Sequence, residues 1–237
     1  DVTIEADDSV RFAAAGDVTA TGAGNVLVNA NRVNTVGDDG DQIVMANGTI
    51  INGGSGTVTL TALGANSGNI TLGSVQTTNA TAAAVVITTA SGAIIDGGDT
   101  NVGIGAGNAI ETTVAILDAH NTTTGSIEIS ETDGIQVQRI LQDQDDSISL
   151  IAAGTVDVLA TGTGVLIDDV GNANGNADIL LRSTAGSVLI GQLVRNDSGN
   201  ADADITLDAI GTNSDVVVNA AVTTAAGDIT IEADDSV

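Results

Sequence analysis

The chain has 237 residues and a formal net charge of −26, with 31 acidic residues against 5 basic ones. This balance argues against nucleic acid as a partner, because nucleic-acid binding depends on basic contacts to phosphate, and against anionic membrane surfaces. The sequence has no Cys, which excludes disulfides and thiolate metal sites, and no apolar run is long enough to insert into and cross a bilayer.

The apolar residues make up 42% of the chain and are mainly Ala, Val, Ile and Leu, with one Phe, one Met and no Trp or Tyr. An ordinary globular core buries aromatic rings, which bring a large apolar area. Small and branched side chains instead suit a narrow core built of many similar layers. Disorder is the rival interpretation for an acidic, Gly-rich chain, but the apolar residues fall in regular short runs.

Alternation of apolar and polar residues predicts short β-strands along the whole chain, and no helical periodicity competes with them. In residues 57–62, Val58, Leu60 and Ala62 share one face and the threonines share the other. Gly, Asn, Asp and Ser fill the gaps, as turns require. In chain order, the predicted strands are 1–6, 9–14, 17–21, 25–30, 42–46, 57–62, 69–74, 85–89, 114–119, 126–130, 134–138, 147–152, 155–160, 164–168, 178–182, 187–191, 204–209, 215–220 and 228–233.

The first ten residues recur at the other end of the chain. Residues 1–10 and 228–237 are identical at nine of ten positions, and the exception is Val2 against Ile229. The 227-residue offset predicts a long tandem array of which 1–237 is a single segment, with one super-repeat and a ten-residue overlap. Both ends fall inside strand sequence without a polar capping coil, so we expect an internal piece of a rod.

A shorter repeat lies within the long one. Residues 17–37 align with residues 204–227, and each stretch holds two clear strands and a weaker third segment. This is the pattern of one coil of a three-faced helix. At 21 to 24 residues a coil, roughly nine to ten coils fit the 227-residue super-repeat, which corresponds to an axial rise of about 45–50 Å.

These features predict an all-β fold, a right-handed parallel β-helix or solenoid. A β-sandwich needs larger residues to fill a core about 10 Å thick, and its strands would be joined by compact hairpins that the sequence lacks. A propeller is expected to carry aromatic signatures in each blade. A β-helix stacks its coils about 4.8 Å apart, and stacked Asn and Asp side chains can form hydrogen-bonded ladders along its turns.

The stretches 227–231, 215–220 and 221–224 resemble the repeats of filamentous-haemagglutinin-type giant surface proteins. The resemblance extends over nearly the whole chain. It implies an exported, elongated, right-handed β-helical shaft. The chain differs from that pattern in its lack of Lys and in its regular long super-repeat.

Calcium is the most reasonable bound group, because carboxylates in turns supply the oxygen ligands that this cation prefers. The sequence otherwise predicts no cofactor. The candidate calcium ligands are Asp38, Asp39, Asp41, Asp143, Asp145 and Asp146. The alternative is that these residues are turn formers that also keep the chain soluble.

No catalytic residue is predicted, and we expect the chain not to be an enzyme. His120 is the single histidine and is expected in an exposed turn, with no partner for nucleophilic catalysis. Adjacent acids such as Asp7 and Asp8 point to opposite faces of a strand, so they do not form a glycosidase pair.

The sequence therefore predicts a structural repeat of an extracellular or cell-surface fibre or adhesin shaft. Its expected partners are further copies of itself, in covalent tandem or head to tail, besides a cell-surface or glycan receptor that the sequence does not identify. One alternative is a calcium-dependent adhesin or binding module. A further alternative is a polysaccharide-processing β-helix enzyme, which would require clustered acids and a base in a cleft.

Overall fold

The computed structural model describes residues 1–32, 40–46, 48–64, 67–80, 84–90, 92–96, 110–122, 125–144, 146–168, 177–199 and 201–237. Throughout these ranges the regular structure is β-strand, and no helix occurs among them. In chain order the strands are β1 (Val2–Glu5), β2 (Val10–Phe12), β3 (Val18–Thr19), β4 (Val26–Ala30), β5 (Ile43–Met45), β6 (Ile50–Asn52), β7 (Val58–Ala62), β8 (Ile70–Leu72), β9 (Ser74–Thr77), β10 (Val85–Thr89), β11 (Ile94–Asp96), β12 (Ile110–Val114), β13 (Ile116–Asn121), β14 (Ile127–Glu131), β15 (Ile135–Gln142), β16 (Ile148–Ala152), β17 (Val156–Val158), β18 (Gly164–Ile167), β19 (Ile179–Ser183), β20 (Val188–Ile190), β21 (Val194–Asn196), β22 (Ile205–Ala209), β23 (Val216–Val218), β24 (Val222–Thr224) and β25 (Ile229–Ala233).

The described strands pair in parallel and stack in three sheets. The first sheet runs β1, β4, β7, β10, β13, β15, β18, β21, β24. The second sheet runs β2, β5, β8, β11, β14, β16, β19, β22, β25. The third sheet contains β3, β6, β9 and the end of β12, whose first residues pair with β14 of the second sheet. Further along the same face, the start of β15 pairs with β17, and β20 and β23 follow. Each strand thus pairs with a strand about one coil further along the chain, an arrangement consistent with a parallel β-helix.

The core is built from columns of apolar side chains that lie in register from strand to strand. In one column Ile4 pairs with Val28, Val28 with Leu60, Leu60 with Ile87 and Ile87 with Ala119. Four of these five side chains are fully buried, and Ile4 in the first strand is half-buried. The alternation of buried and half-buried residues along β7 follows the period of two that the sequence predicts.

Strand β15 turns a corner between two sheets. Its first residues, from Ile135, pair with β17, whereas its last residues, from Arg139, pair with β18. The register with β13 shifts by one residue after Leu117, so that Gln138 is the extra residue at the corner. Such a bulge bends a strand, which allows β15 to belong to the third and the first sheet together.

Gly164 opens β18 with a φ of 105°, in the region that side-chain-bearing residues rarely adopt. A Cβ atom at this position would overlap the carbonyl oxygen of Leu193 in the neighbouring coil. Gly22 also has a positive φ, of 70°, but nothing lies within 4 Å of the position of its missing Cβ. The first glycine is therefore required by packing and conformation together, the second by conformation alone.

Each predicted strand overlaps a strand of the structure, and the predicted strand 85–89 coincides with β10. The single strand predicted at 114–119 is wrong, because β12 ends at Val114 and β13 begins at Ile116, with a bend at Ala115 between two sheets. The sequence did not predict β6, β11, β21 and β24, and the predicted ranges reach only the first residue of β9 and the last residue of β12. The first four strands have three residues each, which is too short to give a clear alternation.

Candidate functional site

The outer edge of the second sheet carries a ladder of polar side chains at the residue before each strand. The hydroxyl of Ser147 accepts a hydrogen bond from the backbone N–H of Asp178 at 3.0 Å. The carboxylate of Asp178 accepts one from the N–H of Asp204 at 3.0 Å, and that of Asp204 accepts one from Asp228 at 2.8 Å. We call Asp178, Asp204 and Asp228 the aspartate ladder. Each rung ties one coil to the next through a charge-assisted bond.

A similar ladder begins the first sheet. The carboxylate of Asp1 accepts a hydrogen bond from the N–H of Asn25 at 2.7 Å, and the side-chain oxygen of Asn25 accepts one from the N–H of Thr57 at 2.9 Å. The ladders that the sequence predicts along the turns are therefore present. Their direction is the same in both sheets, since a side chain in one coil always accepts from the backbone of the coil that follows.

Arginine side chains link neighbouring coils on the outer surface. Arg139 lies 2.7 Å from Asp118, its register neighbour in the first sheet, and Arg182 lies 2.7 Å from Asp208, its neighbour in the second. Arg195 contacts Asp168 at 3.0 Å. These pairs are partly shielded from solvent, which makes them stronger than fully exposed surface pairs.

The arginine pairs were missed by sequence reasoning. The partners stand 21 and 26 residues apart in the two closest pairs, and a coil of variable length hides such a spacing. A register between coils is needed before an arginine and an aspartate can be recognised as neighbours.

Buried polar side chains line one interior corner. The amide nitrogen of Asn121 donates to the carbonyl of Gly92 at 2.7 Å and to that of Gly125 at 2.6 Å. The amide nitrogen of Asn196 donates to the carbonyl of Ala177 at 2.6 Å. Both asparagines are fully buried. They satisfy backbone carbonyls where the chain leaves the first sheet, so that the turn does not leave unpaired polar groups inside.

Three of the six candidate calcium ligands, Asp38, Asp39 and Asp145, lie outside the described residues. Asp143 lies 3.0 Å from the Nε2 atom of His120, and Asp146 accepts a hydrogen bond from the N–H of Gly125 at 2.7 Å. Among the described residues, no group of three His, Asp or Glu side chains is arranged to hold a metal. Calcium binding stays a prediction.

Asp41, the remaining candidate ligand, is buried next to the corner that precedes the second sheet. The N–H of Ser9 donates to the carboxylate of Asp8 at 2.7 Å, and this bond, reinforced by Asp41, lowers the pKa of Asp8. The carboxylate form of Asp8 therefore belongs to the structure of this corner.

His120 lies within β13 and not in an exposed turn as expected, and its Nε2 atom lies 3.0 Å from the carboxylate of Asp143.

A shallow surface depression of about 320 Å³ lies elsewhere, at the start of the first sheet, with Asp1, Thr3, Asn25, Leu27 and Thr59 along its wall. Asp1 is the one acidic side chain in that wall. The depression therefore does not place an acid opposite a base.

The last strands leave apolar side chains exposed. Val217 and Val218 in β23 and Ile229 in β25 are each about two-fifths exposed, whereas the equivalent positions of inner strands are covered by the next coil. Together with the free backbone edges of β24 and β25 they form a surface that we call the stacking edge. Unpaired strand edges of this kind pair readily with further strands.

Comparison with family models, with curated proteins and with solved structures finds no match for the chain. In the part of the chain that the structure describes, no helix is long and apolar enough to cross a membrane. The functional argument therefore depends on the stacked strands, the ladders and the stacking edge.

Proposed function

We propose that the chain is a structural unit of an extracellular fibre or adhesin shaft that stacks end to end into an elongated filament. The observation that carries the proposal is the unbroken parallel pairing from β1 to β24 along the first sheet. The hydrogen bonds of such pairing lie along the stacking direction, so each added coil extends the same ladder without creating a new kind of interface.

The proposed fold is a right-handed parallel β-helix. Right-handedness is supported by the general rule that crossovers between parallel strands of one sheet are right-handed. The nine to ten coils predicted for the super-repeat stay a prediction. The pairing order, with eight steps from β1 to β24 in the first sheet, supports a number between eight and nine, which corresponds to about 40 Å of axial rise at a strand spacing of about 4.8 Å.

The proposed action of the unit is mechanical. Columns of Ile, Val and Leu keep the coils in contact, and the ladders and the arginine–aspartate pairs join neighbouring coils on the outside. Outward Asp, Thr and Asn side chains and the net charge of −26 make the rod negative, which opposes side-to-side association. The resemblance to filamentous-haemagglutinin-type repeats agrees with a shaft of this kind and with export from the cell.

The proposed partner is a further copy of the same unit, which would cover the stacking edge. A cell-surface or glycan receptor would have to bind a feature that does not repeat. Calcium-dependent adhesion stays an alternative, as does, with less support, polysaccharide processing. No arrangement of the described side chains favours either one.

The experiment compares residues 1–237 with a chain that carries residues 1–227 twice. Small-angle X-ray scattering should give the same cross-section for both chains and a maximum dimension that increases by about 40 Å for the added unit. Negative-stain electron micrographs of the longer chain should contain thin straight rods. A longer chain with a compact outline and an enlarged cross-section would contradict the proposal.

A further inference from the structure

The two copies of the repeated decapeptide lie in different sheets. In the first copy, β1 belongs to the first sheet, where Val2 pairs with Val26 of β4. In the second copy, β25 belongs to the second sheet, where Ile229 pairs with Ile205 of β22. Nearly identical sequences therefore occupy positions that are one sheet apart around the axis.

Each copy is bonded on the edge that is free in the other. The N–H of Asp228 donates to Asp204 in the coil below, whereas Asp1, the equivalent of Asp228, accepts from the N–H of Asn25 in the coil above. If Asp1 of one unit is superimposed on Asp228 of another, the aspartate ladder continues directly into the ladder of Asn25 and Thr57. The decapeptide then has hydrogen bonds both to the coil below and to the coil above.

The apolar columns continue in the same way. Ile231 lies above Leu207 in the second sheet, and its equivalent Ile4 lies below Val28 in the first sheet. Ile229 has no coil above it and is 41% exposed. Its equivalent Val2 pairs with Val26 of the next coil, and Val26 is 1% exposed. The residue that would cover Ile229 is therefore the Val26 of a following unit.

The end of the decapeptide gives an independent check. The N–H of Val216, in the third sheet, donates to the carbonyl of Ser236 at 2.9 Å. In the first copy, Val10, the equivalent of Val237, lies in the second sheet, and its N–H donates to the carbonyl of Gln42 at 2.9 Å. The third sheet of one unit is thus aligned with the second sheet of the next.

From these placements we infer that the next 227-residue unit, whose first ten residues take the place of residues 228–237, continues the rod after rotation by one sheet, a third of a turn. The second sheet of one unit continues as the first sheet of the next, the third as the second, and the first as the third. This inference rests on the proposed fibre function. It has the consequence that a given surface feature faces the same direction again only after three units, about 120 Å along the axis.

The rotation also changes the charge at the junction. The aspartate ladder would be followed by Asn25 and Thr57 of the next unit, so the run of stacked carboxylates ends after Asp228. Neutral rungs avoid adding further like charges at short distance. A junction without rotation would instead place β1 on β24, where Thr223 lies above Arg195 and no aspartate ladder exists to be continued.

Cysteine pairs test the inference, because the chain has no cysteine of its own. Register neighbours on adjacent strands lie about 4.8 Å apart, within the range of Cα distances that a disulfide spans. In the chain that carries residues 1–227 twice, Thr206→Cys of the first unit and Thr3→Cys of the second should crosslink on mild oxidation. The matched control joins Thr223→Cys of the first unit with the same Thr3→Cys, and should stay reduced.

The outcomes separate the inference from the fibre proposal. Efficient crosslinking of the Thr206 and Thr3 pair alone supports the rotated junction. Crosslinking of the Thr223 and Thr3 pair, or of neither pair, in a chain whose scattering still gives a rod of doubled length overturns the rotation and leaves the fibre intact. In residues 1–237, Thr206→Cys with Thr230→Cys should also crosslink, since these residues are register neighbours, and failure there overturns the placement of β25 from which the rotation follows.

Discussion

Replacement of Asp204 by Asn removes the central charge of the aspartate ladder while keeping its hydrogen bonds. The side-chain oxygen of Asn can accept the N–H of Asp228 as the carboxylate does, and the N–H of residue 204 still donates to Asp178. What changes is the repulsion between carboxylates on successive coils, besides the charge assistance of the bond that residue 204 accepts, which acts at short range and is little screened by salt. We therefore expect Asp204→Asn to stabilise the fold, and to do so most strongly at low salt.

The magnitude follows from the strand spacing. Two unit charges about 4.8 Å apart repel by about 0.9 kcal/mol in water, and Asp204 has such a neighbour on each side. The two neighbours together repel by about 1.8 kcal/mol. At 0.01 M salt, where the screening length is about 30 Å, about 1.5 kcal/mol of this sum remains, but at 1 M salt, with a screening length of about 3 Å, only about 0.35 kcal/mol remains. The stabilisation should thus decrease about four- to fivefold across this range.

Urea unfolding followed by circular dichroism measures the difference, because urea is uncharged and leaves the salt concentration free to vary. The matched control is Asp157→Asn, since Asp157 lies in register between Gln136 and Leu189, which carry no charge. A stabilisation of Asp204→Asn that does not change with salt, or that Asp157→Asn reproduces, would refute the argument from stacked charges. By the same reasoning, the unaltered protein should be more stable in molar salt than in dilute buffer.

Three further substitutions have outcomes that the structure predicts. Leu60→Ala should destabilise the fold by about 2–5 kcal/mol in urea unfolding because Leu60 is fully buried, whereas Leu63→Ala, at a side chain 52% exposed, should change it by less than about 0.5 kcal/mol. Burial raises the pKa of Glu128 above the ordinary value of 4.5, so its ionised form destabilises the fold above the raised pKa. Glu128→Gln should therefore stabilise the protein near neutral pH, and the gain measured by unfolding at a series of pH values should vanish below the ordinary value. Gly164→Ala should lower the melting temperature more than Gly22→Ala, because only the first meets neighbouring backbone; equal effects would contradict the packing argument.

Much of the fold is predictable from local sequence. The alternation in a segment such as β7 identifies a half-buried strand, and turn-forming residues between segments mark the corners. The absence of large aromatic residues indicates a narrow interior, which agrees with a core whose largest fully buried side chains are Ile, Leu and Met. Parallel stacking follows from these features together, because short strands without hairpins and without helices have few other ways to bury their apolar faces.

The candidate site was less predictable, because it depends on which residues lie in adjacent coils. The chain separation between ladder partners is 24 residues from Asp1 to Asn25 and 32 residues from Asn25 to Thr57. Turns on the outside of a solenoid can change length without disturbing the strands, so the sequence period does not give the register. The calcium candidates illustrate the limit, since nearness in sequence did not by itself indicate which partners Asp143 and Asp146 have.

The sequence alone determined that the chain forms short strands with aliphatic inner faces, that polar ladders follow its turns, and that a decapeptide recurs after 227 residues. These properties are local, or are identities that can be read directly. Only the tertiary structure decided that Arg139 meets Asp118 and that β1 and β25 lie in different sheets. The physical reason is that alternation specifies which side of a strand faces inward, whereas the number of coils between two strands depends on the lengths of all the corners between them.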